Sequence, residues 1–241
     1  MSQQPILSKI QETLDLISVE SLETDTKALD EALQNIVDRH RMVDIIKEIL
    51  SSESRLDEVA RNSYSHPNGF DKLVIVTGDQ GKYKLRCHIW WPEESFTHRE
   101  DIHNHRWNFA TRLIRGTYLL EFYNELSGDP THFVYRYQSP EENETFDMSI
   151  LGERKLALSF RTKVQAGSGY SQSYDLLHRV TKADNKLVVT LLLQGKTVCD
   201  HTTVYAEETL NNNVVGNAVR FSRQGLTSRL LRLVAVLEGN D

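Results

Sequence analysis

The residue types best suited to chemistry lie in Ile102-His103-Asn104-His105-Arg106-Trp107-Asn108-Phe109. Side chains alternate faces along an extended segment. His103 and His105 are therefore expected to share one side with Trp107 and Phe109, with Asn104, Arg106 and Asn108 on the other. Neutral imidazole is the commonest protein ligand for transition metals and suits iron, copper, nickel and zinc alike. A third histidine, His178, lies far downstream in the strand-like run Tyr174-Asp175-Leu176-Leu177-His178-Arg179-Val180. Three histidines from two strands of one barrel would cap one face of an ion and leave other positions open, which is the form of a catalytic site rather than a structural one.

Gly116 follows the mostly apolar run from Phe109 to Ile114 and precedes a new strand, Thr117 to Tyr123. His103-x-His105 with Gly116 downstream, then Leu177-His178-Arg179-Val180, resembles the two motifs of the cupin superfamily. Within it the likeness is to the cysteine dioxygenase-like (thiol dioxygenase) group, over about Tyr64 to Tyr205. It takes in Gly81-Lys82-Tyr83-Lys84-Leu85 as a strand start and Trp90-Trp91 as a strand end. The resemblance implies Fe(II) held by His103, His105 and His178, with dioxygen as co-substrate. Many cupins add a glutamate after the His pair; Phe109 or Ala110 stands in that place here, which favours a site of three histidines alone.

Three departures bear on the substrate. His66, in Tyr64-Ser65-His66, stands where such enzymes hold the substrate carboxylate with arginine. Gln194 stands near their second-motif tyrosine, and Ala110 where animal members carry the crosslinking cysteine. The metal centre carries over and the cysteine-recognition apparatus does not, so cysteine is not the expected substrate. The pool of catalytic candidates is Tyr64, His66, Arg86 and Gln194. Arg112 and Tyr174 are further candidates for polar substrate contacts, and Trp107, Phe109 and Phe122 would exclude water. His98, in the polar loop Pro92 to Asp101, is an alternative ligand, whereas His40, His132 and His201 read as surface residues.

These residues need a scaffold. From Pro5 to about Asn62 the pattern is helical: Ile6, Ile10, Leu14 and Ile17 recur on one face behind Pro5, and Asp25 is an N-cap for a helix burying Leu29, Leu33 and Ile36. Helices are also expected from Arg41 to Leu50, with Val43, Ile46 and Leu50 inward, and from Ser54 to Arg61. The period then changes. Leu73 to Val76 reads as the first clear strand, and Tyr83 to Trp91 as the next, with Leu85, Cys87 and Ile89 on one face and Arg86, His88 and Trp90 on the other. If that second face lines a cavity, Arg86 and His88 are substrate contacts. Regular short strands between turn signals continue to Tyr205, including Leu156 to Arg161 and the apolar run Leu187 to Leu193; Pro140 to Glu144 reads as an acidic loop. A C-terminal helix follows, with the stripe Leu226, Leu230, Val234 and Leu237 and with Arg223, Arg229 and Arg232 on its surface.

The fold class expected is mainly β: a cupin-type antiparallel β-barrel (double-stranded β-helix or jelly roll) at 63–205, a helical N-terminal segment at 1–62 packing on it, and a C-terminal extension with a helix at 206–241. A chain of 241 residues, 39% hydrophobic, can bury one sizeable core. The net charge of −6 argues against nucleic acid and anionic membranes as partners. No signal-peptide pattern or membrane-length apolar run occurs, and Cys87 and Cys199 read as free thiols, with a strand-to-strand disulfide as the alternative, so a cytoplasmic location is expected. Together these features predict a mononuclear non-haem Fe(II) dioxygenase of a small polar, anionic metabolite, with the helices available for a homodimer contact. The alternatives are a non-oxidative metalloenzyme (isomerase or lyase) and a ligand-binding barrel without turnover.

Overall fold

Pro5 leads into α1 (Ile6–Asp15), and Ser18 caps the short α2 (Val19–Thr24). Asp25 caps α3 (Thr26–Ile36), its carboxylate accepting from the Lys27 and Ala28 amides at 2.9 and 3.0 Å. α4 (Arg39–Leu50) and α5 (Glu53–Asn62) complete the N-terminal set, and α6 (Arg223–Glu238) closes the chain. This is a computed structural model, and it describes residues 4–37, 39–66, 68–92, 100–138, 147–210 and 220–239. The helices fall where the apolar periodicity places them, except α2, whose six residues are too few to display a period. On α6 the buried stripe is Leu226, Leu230, Leu233 and Leu237; Val234 is only partly covered. Nor is Arg229 a plain surface residue, because its Nε donates to the fully buried Asp71 carboxylate at 2.7 Å.

The strands in chain order are β1 (Tyr64–His66), β2 (Phe70–Thr77), β3 (Lys84–Trp90), β4 (Ile102–His103), β5 (Trp107–Arg115), β6 (Thr117–Leu126), β7 (His132–Gln138), β8 (Asp147–Gln165), β9 (Gly169–Gln172), β10 (Leu177–Lys182), β11 (Val188–Thr197) and β12 (Thr202–Ala206). They form two antiparallel sheets. One has the order β1-β2-β3-β11-β5-β9; the other runs β10-β4-β12-β7-β8-β6 and closes through the pairing of β6 with β10. From β3 onward the chain crosses from sheet to sheet, apart from β6, β7 and β8, which stay in the second. This is the mainly β antiparallel architecture expected, with one sheet closed into a barrel and helices at both ends.

Period-two alternation divides the first sheet into two environments. Leu73 and Ile75 of β2, Leu85, Cys87 and Ile89 of β3 and Val189, Leu191 and Leu193 of β11 point toward the helices. There they form one continuous core with Leu29, Leu33, Ile46 and Leu230. The alternate residues, Arg86, His88 and Trp90 among them, point into the space between the sheets. At the β5–β6 turn Gly116 takes φ +85°, and a Cβ there would run into the Leu187 carbonyl, so this position requires glycine. Cys87 is buried, Cys199 is half-buried, and both are free thiols. Among the described residues no helix is long and apolar enough to cross a membrane.

Candidate metal centre

β10 lies antiparallel to β4 in a register that sets His178 opposite His103. His105 is not on the same strand as His103. β4 ends at His103, residues 104–106 are irregular, and β5 begins at Trp107. The His105 amide donates to the Tyr174 carbonyl at 2.8 Å, and the Asn104 side chain accepts from the Thr203 amide at 2.7 Å; together these pin the break. The break also brings Arg106 to the cavity side, against the expectation from strict alternation. Asn108 does turn away, bridging the Glu23 carbonyl and the Tyr174 amide.

The three imidazoles converge. Their ring centroids are 4.7 to 5.0 Å apart, and one candidate ligand atom from each lies within 4.8 Å of the others. His103 Nδ1–H donates to the Asp101 carbonyl at 2.9 Å. His178 Nδ1 is engaged by Gln172 at 2.8 Å and lies 3.4 Å from the Leu176 carbonyl. Hydrogen bonds at Nδ1 leave Nε2 as the ligating atom of both rings. His105 is held by its ring faces, stacked on Trp107 at 4.2 Å and edge-on to Phe109 at 5.0 Å. Burial pushes the His178 imidazole down to about 3, and burial followed by the neighbouring imidazoles pushes His105 well down. The set is therefore three neutral nitrogen donors, a set that fits a divalent transition ion.

The histidines stand in the wall of a cavity of about 430 Å³ between the two sheets. Tyr64, His66, Arg86, Trp107 and Phe109 also line it. Gln194 is buried on the same face of β11, in register with Phe109, but lies outside the cavity lining. Phe122 backs His178, with ring centroids 6.5 Å apart, without lining the cavity. Two more candidates lie outside the lining. Arg112 is on the opposite face of β5 from Trp107 and Phe109 and pairs with Asp30 of α3 at 2.9 Å. Tyr174 supplies its backbone rather than its ring, and the ring is outside the lining. Ala110 likewise faces the helix-side core, so a cysteine at that register would not reach the cavity.

Of the other histidines, His201 pairs with Asp200 and His132 contacts Thr131, both away from the triad; His40 lies on α4. His98 and the acidic run Pro140 to Glu144 lie outside the described residues. Sequence reading missed Lys72, Glu100, Tyr118 and Tyr170, all of which line the cavity. Glu100 came from a loop that looked exposed by composition. It is 7% exposed, and burial pushes its carboxyl up to about 8.

No family model matches the chain, and no curated protein matches it in sequence. Solved structures similar to it include KdgF from Halomonas sp., at 9% identity over 54% of this chain and 83% of that one, TM-score 0.32. Hydroquinone 1,2-dioxygenase PnpCD, in complex with Cd2+ and 4-hydroxybenzonitrile, is 15% identical over 58% and 71%, TM-score 0.34. The CENP-C cupin domain of Drosophila melanogaster is 10% identical over 55% and 74%, TM-score 0.32. Likeness this distant assigns neither activity nor ligand to this chain.

Proposed function

We propose that the protein is a mononuclear non-haem Fe(II) dioxygenase of the thiol dioxygenase-like type, acting on a small anionic metabolite other than cysteine. The observation that carries this reading is the convergence of His103 and His105, half-buried, with the buried His178, all three held neutral, at the wall of the cavity between the sheets. Fe(II) bound by these three residues would supply redox activation of dioxygen, with substrate bound alongside. The chain's own residues do the rest. His103 and His178 are fixed by hydrogen bonds at Nδ1, Trp107 and Phe109 cover His105 and exclude water, and Arg86 gives the cavity a positive wall. With neutral ligands the ion keeps its full charge, which favours an anionic substrate. His66 lines the cavity where the resemblance puts the arginine that holds the carboxylate of cysteine, hence the exclusion of cysteine.

A non-oxidative reading, isomerase or lyase on a Lewis-acidic ion, draws on Glu100. Its buried carboxyl stays protonated at neutral pH and lines the same cavity, as a proton-transfer group would. Metal analysis of anaerobically purified wild type beside His178→Ala tests the site. About one iron per chain, lost in the variant, is expected; stoichiometric iron retained by the variant would sink the assignment. Oxygen uptake during a substrate screen then separates the two chemistries.

A further inference from the structure

The inner face of the first sheet carries a row of polar side chains that the metal site does not use. Tyr64 of β1 is in register with Lys72 of β2, Lys72 with His88 of β3, and His88 with Thr190 of β11. Arg86 stands one inward position along from His88, and all five line the cavity. Among the described residues no carboxylate pairs with either cation. Lys72 Nζ donates to the Tyr64 hydroxyl at 2.9 Å and has no anion beside it. Arg86, 7% exposed, lays its guanidinium 4.9 Å over the Trp107 ring, and its Nε has no partner; His88 Nε2 is buried and partnerless too. The two acidic side chains in the lining sit by the histidines, Glu100 against the Val180 amide and Asp101 at the backbone that holds His103. Cations withdrawn from water without counter-ions oppose folding unless a partner charge compensates them, and a bound anion would be such a partner.

We propose that Lys72 and Arg86, with Tyr64 and His88, form a subsite for the oxyanion of a small organic acid. Trp107 links the subsite to the histidines, since its ring contacts both the Arg86 guanidinium, 4.9 Å from its centroid, and the His105 ring, at 4.2 Å. The acid would be held at Lys72 and Arg86 while its other end reaches the histidines, along a path walled by Phe70, Trp90 and Trp107. Charge-assisted bonds from Lys72 Nζ and Arg86 Nε would satisfy donors that have no counter-anion in the protein. Burial, and then the Arg86 charge, disfavour the charged form of Lys72, and a bound anion would favour it again. This deepens the anionic-substrate reading and rests on it for taking the cavity as the substrate site.

The experiment uses the full chain, metal-free and iron-loaded, titrated with benzoate, succinate and inorganic phosphate by calorimetry and by thermal unfolding. At least one of the two organic acids is expected to bind and raise the unfolding temperature. Lys72→Met and Arg86→Met are each expected to weaken that binding at least tenfold, with Arg86→Lys recovering part of it. In the absence of ligand both Met variants should melt at or above wild type, because each removes a basic group that has no counter-anion among the described residues. Variants melting several degrees lower would make the row structural and overturn the proposal, as would equal binding to wild type and variants or failure of both acids to bind. Binding of phosphate alone would overturn the organic acid in favour of a free inorganic anion. His103→Ala separates the two readings, since it should lose iron and keep acid binding. A wild type that binds acid but no iron would leave this subsite standing and end the iron assignment.

Discussion

Gln172 is buried behind His178, and its amide illustrates how much one residue controls at the metal centre. As placed, its Nε2 faces His178 Nδ1 at 2.8 Å while its Oε1 has no partner. A metal on Nε2 of His178 requires a proton on Nδ1, and Nδ1–H needs an acceptor. Turning the amide by half a rotation presents Oε1 to that proton; the bond from Nε2 to the Leu176 carbonyl at 3.2 Å is given up in exchange. Gln172→Leu should then weaken metal binding about 10- to 100-fold, and Gln172→Glu, which keeps an acceptor, should restore most of it. Competition with a chelator of known affinity measures both; unchanged affinity in Gln172→Leu would mean that the Leu176 carbonyl suffices. Glu100 makes a pH prediction at the same scale. Its folded value of about 8 lies above the ordinary carboxyl value of 4.5, so the folded state holds a proton that the unfolded state releases between them. The stability this confers is present below about pH 4.5 and is lost as pH rises through 8. Glu100→Gln should therefore gain stability relative to wild type on going from pH 5 to pH 9, by a few kcal/mol. Urea unfolding at the two pH values would show it, and parallel curves would refute it.

At the scale of elements, strand parity decides what was readable. In β3 the alternation of Leu85, Cys87 and Ile89 with Arg86, His88 and Trp90 is regular, and the sequence assigns both faces correctly. The same rule, continued from His105 through Trp107 and Phe109, puts Arg112 on the wrong face for the site, where it does lie. Lys72 escaped for a different reason. β2 carries an apolar run from Leu73 to Val76 with a register shift between Val74 and Val76, which hides the period, so the strand seemed to start after Lys72. Glu100 escaped because burial of a polar loop end is a tertiary fact. The break at residues 104–106 was likewise invisible, since it depends on Thr203 and Tyr174 from distant segments. Turns are more legible: Gly116 marks the β5–β6 reversal in sequence, and its positive φ and the nearby Leu187 carbonyl explain why. Gly116→Ala should cost about 1–3 kcal/mol by strain alone, read as a shift in the urea midpoint. A midpoint equal to wild type would mean that the Leu187 backbone yields without cost.

Over the whole molecule, the first sheet separates stability from function across its own thickness. Its helix side is a single apolar core shared with α1, α3, α4 and α6, and no cavity-lining residue contributes to that core. Its cavity side carries Tyr64, Lys72, Arg86 and His88, polar groups withdrawn from water that oppose folding unless a ligand compensates them. Substitutions at neighbouring positions of one strand should therefore act in opposite ways. Ile89→Ala and Leu191→Ala remove fully buried side chains from the helix-side core and should each cost about 2–5 kcal/mol. Both should still bind about one iron per chain at low temperature, because neither touches the cavity. His88→Leu, between Cys87 and Ile89, removes a polar group whose buried Nε2 has no partner and should leave stability equal or higher. Urea midpoints and metal content measured on the same preparations decide the matter. Loss of iron in Ile89→Ala while the fold is intact, or a large loss of stability in His88→Leu, would show that the two faces are coupled.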